Sequence, residues 1–372
     1  MDPAPSNPQR GLRSRRPSVS RQEPRLQPRA TSAPKTVEPQ PRAMNIAGLE
    51  FGTLLPGFCA EHPGKIGRDY VQTRARTYDL LADQGFKTFR IPFRWERIQP
   101  VLGGPLDPDA VQQLRFQANL AARVEGKIIL DLHNYGRYVR ALDSGPVECQ
   151  IGQDHNGWVP LTKDDFADLW ARISYALCGL PEVAGYGLMN EPHDLGPGVW
   201  VEASTAAAEA IRGCGDDTPL YVSGDRWASS MHWNQVNPSR PWISERKGPV
   251  IYEAHCYFDH DGSGEYELSY EEELERDPTL PSRPTARLEP FLTWLSENRA
   301  KGFLGEFGLP VQSEQWSHLL PGFLDALDGA EVPVAWWAAG EGWGDYPLSM
   351  QPHPHGFDVS PASIELQRGL DK

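Results

Sequence analysis

Two rhythms of hydrophobic and polar positions alternate along most of this chain. Short apolar runs recur at 45–51, 86–92 (FKTFRIP), 127–132 (KIILDL), 183–189 (VAGYGLM), 218–223, 250–257 (VIYEAHCY), 302–306 (GFLGE) and 332–338 (VPVAWWA). Several lack strict in-out alternation, as strands covered on both faces do. Between them the apolar spacing becomes helical, over 69–84, 108–125, 162–178, 199–213, 285–300, 314–328 and 359–369. The gap at 226–249 is poorest, with one short helix expected near Trp227–Trp233. Glycines such as Gly85, Gly126 and Gly302 precede the strands, the punctuation of short helix-to-strand loops.

Strands alternating with helices in this way predict an α/β fold, a single (β/α)8 barrel spanning residues 44–372. A doubly wound sheet is the rival, but it lacks its glycine-rich phosphate loop after the first strand. No internal repeat is visible. Residues 1–43 break the pattern, with nine Pro, eight Arg and one Lys against three acids. This basic arm lacks the apolar residues for a core and is expected to be disordered, a linker or an extension ahead of Met44. No apolar stretch follows its basic residues as a secretion signal requires, which leaves the compartment open.

Charge narrows the function. The whole chain carries a formal −14, and without the arm the remainder carries −20. An acidic body disfavours nucleic acid as substrate. No apolar run approaches the ~18 residues of a membrane span. Five scattered cysteines, none in a C-x-x-C pair, exclude a disulfide scaffold and leave at least one thiol unpaired within the chain.

Polar residues cluster where a barrel places its chemistry, at the C-terminal ends of strands. Arg90 ends the second strand region; Asp131 and His133 the third; Asn190 and Glu191 the fourth. His255 and Tyr257 follow in the sixth, Glu306 in the seventh, and Trp336 and Trp337 in the eighth. Glu191 in LMNEPHD and Glu306 in FLGEFGLP each sit at the tip of an apolar strand. Two facing carboxylates suit glycosidic-bond cleavage, one protonated to serve as acid and one ionised to attack the anomeric carbon. Asn190 is placed to donate to a sugar 2-hydroxyl, and Arg90 to hold the nucleophile ionised. Tyr257 can position Glu306, His255 can touch the acid, and His133 can bind a hydroxyl.

Aromatic side chains point to a carbohydrate ligand. Trp336, Trp337, Trp343 and Tyr346 fall in AWWAAGEGWGDY, and one of the adjacent tryptophans must alternate away from the lumen. Trp158, Trp227 and Trp233 are further platform candidates, and Asn134 and Tyr135 are candidate substrate contacts beside His133. No cofactor or metal is expected. D-x-H at Asp131 and His133 lacks the third convergent ligand of catalytic zinc, and neither H-E-x-x-H nor H-x-x-E-H occurs. DHDGSGEYE (259–267) has part of a calcium-loop spacing without the final Glu in place. No nucleophile elbow or phosphate loop is present.

Seven segments together resemble glycoside hydrolase family 5, most closely its secreted endo-β-1,4-glucanases. They are NIAGLEFG (45–52), FRIPFRWERIQP (89–100), DLHNYGRY (131–138), NEPHD (190–194), HCYFDHDGSG (255–264), GEFGLP (305–310) and WWAAGEGWGDY (336–346). The resemblance implies a (β/α)8 barrel and a retaining double displacement by a monomeric, cofactor-free cellulase, with Glu191 as acid/base and Glu306 as nucleophile. The family's invariant Arg, His, Asn, His and Tyr fall on Arg90, His133, Asn190, His255 and Tyr257, and its strand-8 Trp on Trp336 or Trp337, with Trp337 favoured. Soluble or mixed-linkage β-glucan is the implied substrate. β-Mannanase or an exo-acting β-glucosidase is the alternative within the family, and a non-catalytic glycan-binding protein the alternative outside it. One departure stands out: relatives read A-A-G-P-W-W-G-D-Y where this chain has Glu341 and Gly342. A stacking platform is expected to be lost there and a carboxylate gained at the rim.

Overall fold

A computed structural model describes residues 40–153, 160–353, 355–368 and 370. Trp158, one of the candidate platforms, lies outside the described residues, as does the basic segment up to residue 39. Eight parallel strands close into a barrel in the order β1-β10-β9-β8-β7-β6-β3-β2. They are β1 (Arg42–Ile46), β2 (Thr88–Phe93), β3 (Lys127–Leu132), β6 (Val183–Gly187), β7 (Leu220–Ser223), β8 (Val250–His255), β9 (Lys301–Phe307) and β10 (Val334–Ala339). Helices at 75–83, 108–123, 163–177, 199–213, 283–298 and 320–329 pack between successive strands, and 361–367 follows β10.

The first strand starts earlier than its hydrophobicity implies and takes in the last two residues of the stretch assigned to the basic arm. The reason is electrostatic. Arg42 donates two parallel hydrogen bonds to Asp328, at 2.8 and 2.7 Å, and the Gln40 N–H donates to the same carboxylate at 2.9 Å. That buried pair fastens the start of β1 to the helix at 320–329, while β1 closes the ring against β10 in the register Ala43↔Ala335.

A second element was not legible in the apolar spacing. β4 (Arg137–Leu142) and β5 (Gly145–Gln150) form an antiparallel hairpin beyond β3. Its turn, Asp143-Ser144 before Gly145 (φ 111°), is made of polar and glycine residues that favour turns. The gap at 226–249 holds a short α-helix at Trp233–Val236 and a 3-10 turn at Glu245–Lys247.

Inside the ring, alternate residues stack in layers. Ala43, Ile129, Phe303 and Ala335 pack together as an apolar floor, with Tyr221 and Ile251 against them. Two residues further along each strand come Asn45, Arg90, Asp131, Glu253 and Trp337, so the layer above the floor is charged. All five cysteines are free thiols; Cys178 and Cys214 are exposed. Among the described residues no helix is long and apolar enough to cross a membrane.

Candidate active site

Arg90 is the hub of the charged layer. Its side chain is fully buried on β2, where the pleat turns it into the lumen. Nη1 donates to Glu306 Oε1 and to Asn45 Oδ1, each at 2.9 Å, and Nη2 donates to Asn190 Oδ1 at 2.7 Å. Nη2 also lies 2.9 Å from both Asp131 Oδ1 and Glu253 Oε1. One guanidinium thus neutralises part of a three-carboxylate cluster, which its five fixed donors and permanent charge suit it to do.

Glu306, at the tip of β9, meets donors on both oxygens. Arg90 holds Oε1, and the Tyr257 hydroxyl donates to Oε2 at 2.9 Å. Burial and the nearby Glu191 push the Glu306 carboxyl above its ordinary range, while His255 and Arg90 pull it back. Arg90 and Tyr257 both donate to it, and these contacts, with the charges of Arg90 and His255, favour the ionised carboxylate. Burial and Glu306 likewise hold the Tyr257 phenol well above its usual range, so it remains a donor.

Glu191 stands across from Glu306 on the loop leaving β6, at the left-handed φ of 45°. Carboxylate oxygens of the two residues and a ring nitrogen of His255 lie within 4.8 Å of one another. His255 Nδ1 lies 2.7 Å from Glu191 Oε1 and 3.6 Å from Glu306 Oε2, and Nε2 lies 3.2 Å from Glu253 Oε1. Burial alone would lower its pKa, but Glu306, Glu191 and Glu253 outweigh burial and raise it to about 10. His255 is therefore an imidazolium near neutral pH. The same fact bears on metals. Glu191, His255 and Glu306 are the group of described residues with ligand spacing, yet an imidazolium offers no lone pair and the Arg90 cation stands beside it.

His133 behaves oppositely. Burial, reinforced by Arg90, Arg94 and His255, drives it down to about 3 against the pull of Glu306. As a neutral ring it donates from Nδ1 to Asp131 Oδ2 (2.8 Å) and leaves Nε2 to accept from the Tyr135 hydroxyl (3.1 Å). Asn190 Nδ2 lies 3.3 Å from the same nitrogen. The Asn190 amide is thereby fixed at both ends, by Arg90 and by His133.

The structure thus brings Arg90, His133, Asn190, Glu191, His255, Tyr257 and Glu306 into one constellation. Trp337 stacks nearly parallel to His133, with centroids 5.4 Å apart, and meets the edge of Trp343. Trp343 in turn stacks on Tyr346 and meets Phe51 edge-on at 4.8 Å. Across the mouth the half-exposed Trp227 lies flat on His193, with centroids 4.2 Å apart.

Some candidates fall elsewhere. Trp336 is fully buried against Phe307 with its indole N–H donating to Leu348 O, because the pleat turns successive residues of β10 to opposite faces. Asn134 is buried too. Its amide accepts from the Trp95 N–H and donates to Glu96 and to the Arg137 carbonyl, so it braces loops instead of facing ligand. Trp233 is buried among Phe291 and Trp294. Glu341 presents no free carboxylate: it accepts from the Arg74 N–H and the Thr77 hydroxyl at the start of helix 75–83. At Gly342 any Cβ would approach Phe51 to 2.7 Å, so that ring excludes a larger side chain there. The Asp259 loop satisfies its carboxylate internally, from Ser263 and from the Gly264 and Tyr266 N–H groups.

Asn45 and Glu253 also belong to the site, and the signal for each is a buried polar residue flanked by apolar neighbours in its strand. Asn45 donates to the Gly305 and Trp336 carbonyls while accepting from Arg90. Glu253 needs room as well: a Cβ on Gly305 would come within 2.1 Å of its Oε1.

Two cavities flank the carboxylates. One, of about 410 Å³, is lined by Phe51, His133, Tyr135, Trp337 and Trp343. The other, of about 460 Å³, is lined by Glu191, Trp227, His255 and Tyr257, among others. Their loops follow strands on opposite sides of the ring, so the two cavities lie on either side of the carboxylate pair.

Comparison with known proteins is consistent along the chain. The family model described as Cellulase (glycosyl hydrolase family 5) matches residues 44–342. Endo-beta-1,4-glucanase A of Emericella nidulans is 29% identical over 313 residues, 83% of this chain and 86% of that protein. Among solved structures, the Pseudomonas stutzeri endoglucanase Cel5A shares 34% identity with a TM-score of 0.75, covering 88% of this chain and 93% of its own. The structure of XacCel5A in complex with cellopentaose aligns with a TM-score of 0.75 at 29% identity, over 89% of this chain and 99% of that one.

Proposed function

We propose, from the premise that this chain belongs to the cellulase family, glycosyl hydrolase family 5, that it is a retaining endo-β-1,4-glucanase acting as a monomer on β-glucan chains. The observation that carries the reading is the pair Glu191 and Glu306, with oxygens within 4.8 Å and aromatic-lined cavities on either side. Retaining pairs stand ~5 Å apart, whereas inverting pairs need room for a water.

The chemistry follows from the contacts. Glu306, its charge held by Arg90 and its second oxygen fixed by Tyr257, attacks the anomeric carbon as Glu191 gives its proton to the leaving oxygen. The glycosidic C–O bond breaks and a glycosyl ester forms on Glu306. Glu191, now a carboxylate facing the His255 imidazolium, takes a proton from water, whose oxygen displaces Glu306 with net retention. Asn190, held by Arg90 and His133, offers its amide N–H to the sugar 2-hydroxyl. The sugar ring before the scissile bond packs on Trp337, with His133, Tyr135, Trp343 and Tyr346 extending that side. The leaving chain crosses Glu191 toward Trp227. Cavities on both sides of the carboxylate pair support internal cleavage over removal of single terminal sugars.

The test is product profiling on carboxymethylcellulose, barley β-glucan, mannan and cello-oligosaccharides. Wild type yields a ladder of oligomers from the β-glucans; Glu306→Gln and Glu191→Gln stay folded and lose at least about a thousandfold in kcat. Glucose as sole product, mannan as preferred substrate, or near-wild-type turnover by either variant would each overturn it.

A further inference from the structure

The cavity on the leaving-group side carries an unusual charge. Besides Glu191, Asp261 and Trp227 it is lined by Arg226, Arg287 and His232. Among the described residues Arg226 makes no side-chain hydrogen bond or ion pair, although acids outnumber bases by 50 to 36 in this chain. Arg287 is 7% exposed and satisfies itself on two backbone carbonyls, Tyr257 O at 2.6 Å and His260 O at 2.9 Å, and among the described residues it forms no ion pair. Carbonyl dipoles solvate a guanidinium without cancelling its charge. One helical turn earlier, Arg283 shows what this surface normally does, pairing with Glu273 at 2.7 Å and Asp277 at 2.9 Å. Both Arg226 and Arg287 act on His232, which burial and the two cations keep below its ordinary pKa.

The nearby acids keep their charge but pair with neither arginine. Asp261 accepts from the Ser263 N–H and faces His260, and Asp225 accepts from the Arg226 N–H. The loop is also built to hold its shape. Arg226, Trp227 and Ala228 are three consecutive residues with φ between 52° and 57°, a costly conformation for side-chain-bearing residues. It is pinned by Trp227 N–H to Pro192 O, His255 N–H to Ala228 O and Ser230 N–H to His255 O. The strain sets Arg226 beside the Trp227 platform at the cavity rim.

From this we infer that the leaving-group cavity recognises a sugar carboxylate, so that acidic β-1,4-glucan chains are preferred substrates. The inference rests on the endoglucanase reading above and adds a substrate class to it. Such a carboxylate arises either as an aldonate at an oxidised reducing end or as a uronate at C6 within the chain. The reaction that supplies the substrate is accordingly an oxidation at C1 or at C6 of the glucan.

The experiment compares kcat/KM for cellotetraose, cellotetraonic acid and C6-oxidised cello-oligosaccharides, with wild type, Arg226→Ala and Arg226→Lys, at low and high salt. Wild type is expected to favour at least one acidic substrate by about tenfold, the scale of one charge-assisted hydrogen bond. Arg226→Ala should abolish that preference and change cellotetraose cleavage by less than about twofold, Arg226→Lys should restore part of it, and salt should weaken it. Preference for the aldonate alone, or for the uronate alone, identifies the source. Equal rates on acidic and neutral substrates by wild type, or an unchanged preference in Arg226→Ala, would overturn the inference. Failure of wild type on cellotetraose and on neutral β-glucans alike would instead sink the endoglucanase reading.

Discussion

Replacing Glu253 with glutamine removes one negative charge from beneath the site while keeping the side chain's size. Its carboxylate is fully buried, 2.9 Å from Arg90 and 3.2 Å from His255. Unit charges that close attract by about 5 kcal/mol at an effective dielectric near 20. Titration points to the same scale. His255 sits at about 10 in the folded protein against ~6.5 unfolded, about 5 kcal/mol of stabilisation shared among Glu306, Glu191 and Glu253. The net loss is smaller than the full attraction. Burial first, and then Glu253, pushes Asp131 up to about 7 against the pull of Arg90, so the substitution relieves Asp131 as it strips His255. We expect Glu253→Gln to cost about 2–4 kcal/mol at pH 6, near the range for breaking a buried pair. The sign of the pH dependence is definite. A folded pKa above the unfolded one gives stability that is complete below ~6.5 and lost as pH rises through about 10. The gap between wild type and variant should therefore be widest at pH 6 and close toward pH 10. Urea unfolding across that range measures it, and NMR titration of the His255 ring, identified with His255→Asn, follows the proton directly. A gap independent of pH, or identical His255 titrations in the two proteins, would refute the coupling.

Other outcomes follow from the same geometry. Trp336→Ala should lose about 3–5 kcal/mol of stability by calorimetry, whereas Trp337→Ala should keep its Tm and raise KM for cello-oligosaccharides. Gly305→Ala should disrupt the charged layer, since its Cβ would meet Glu253 at 2.1 Å; wild-type kcat in that variant would contradict the packing. Arg42→Ala leaves Asp328 unpaired beside β1 and should cost about 3 kcal/mol in denaturant midpoint measurements without altering the pH profile of activity.

The barrel, its strand order and the two glutamates were readable in the sequence because each rests on a local pattern. An apolar run bounded by glycine or proline marks a strand wherever it occurs, and a carboxylate at its tip marks the rim. Phase along β10 was harder. Alternation guarantees that Trp336 and Trp337 face opposite ways, but only packing against Phe307 and Leu348 assigns the buried one. Asn134 misled for a similar reason: its neighbours in sequence, His133 and Tyr135, do face the mouth, while its amide is claimed by Trp95 and Glu96, 39 and 38 residues away.

Glu341 shows the limit most plainly. By itself the sequence determined that a carboxylate follows Gly340 beyond the last barrel strand. Whether that charge meets substrate depended on the helix at 75–83, more than 260 residues distant, whose first turn supplies Glu341 with donors. Glu253 and Arg226 make the same point in opposite directions. One became central because Arg90 meets it across the lumen and His255 from its own strand, and the other pairs with no acid among the described residues. Hydrophobic periodicity is a property of neighbours in the chain, so sequence alone determined the strands and their tips. Charge compensation is a property of neighbours in space, and only closure of the barrel decided it.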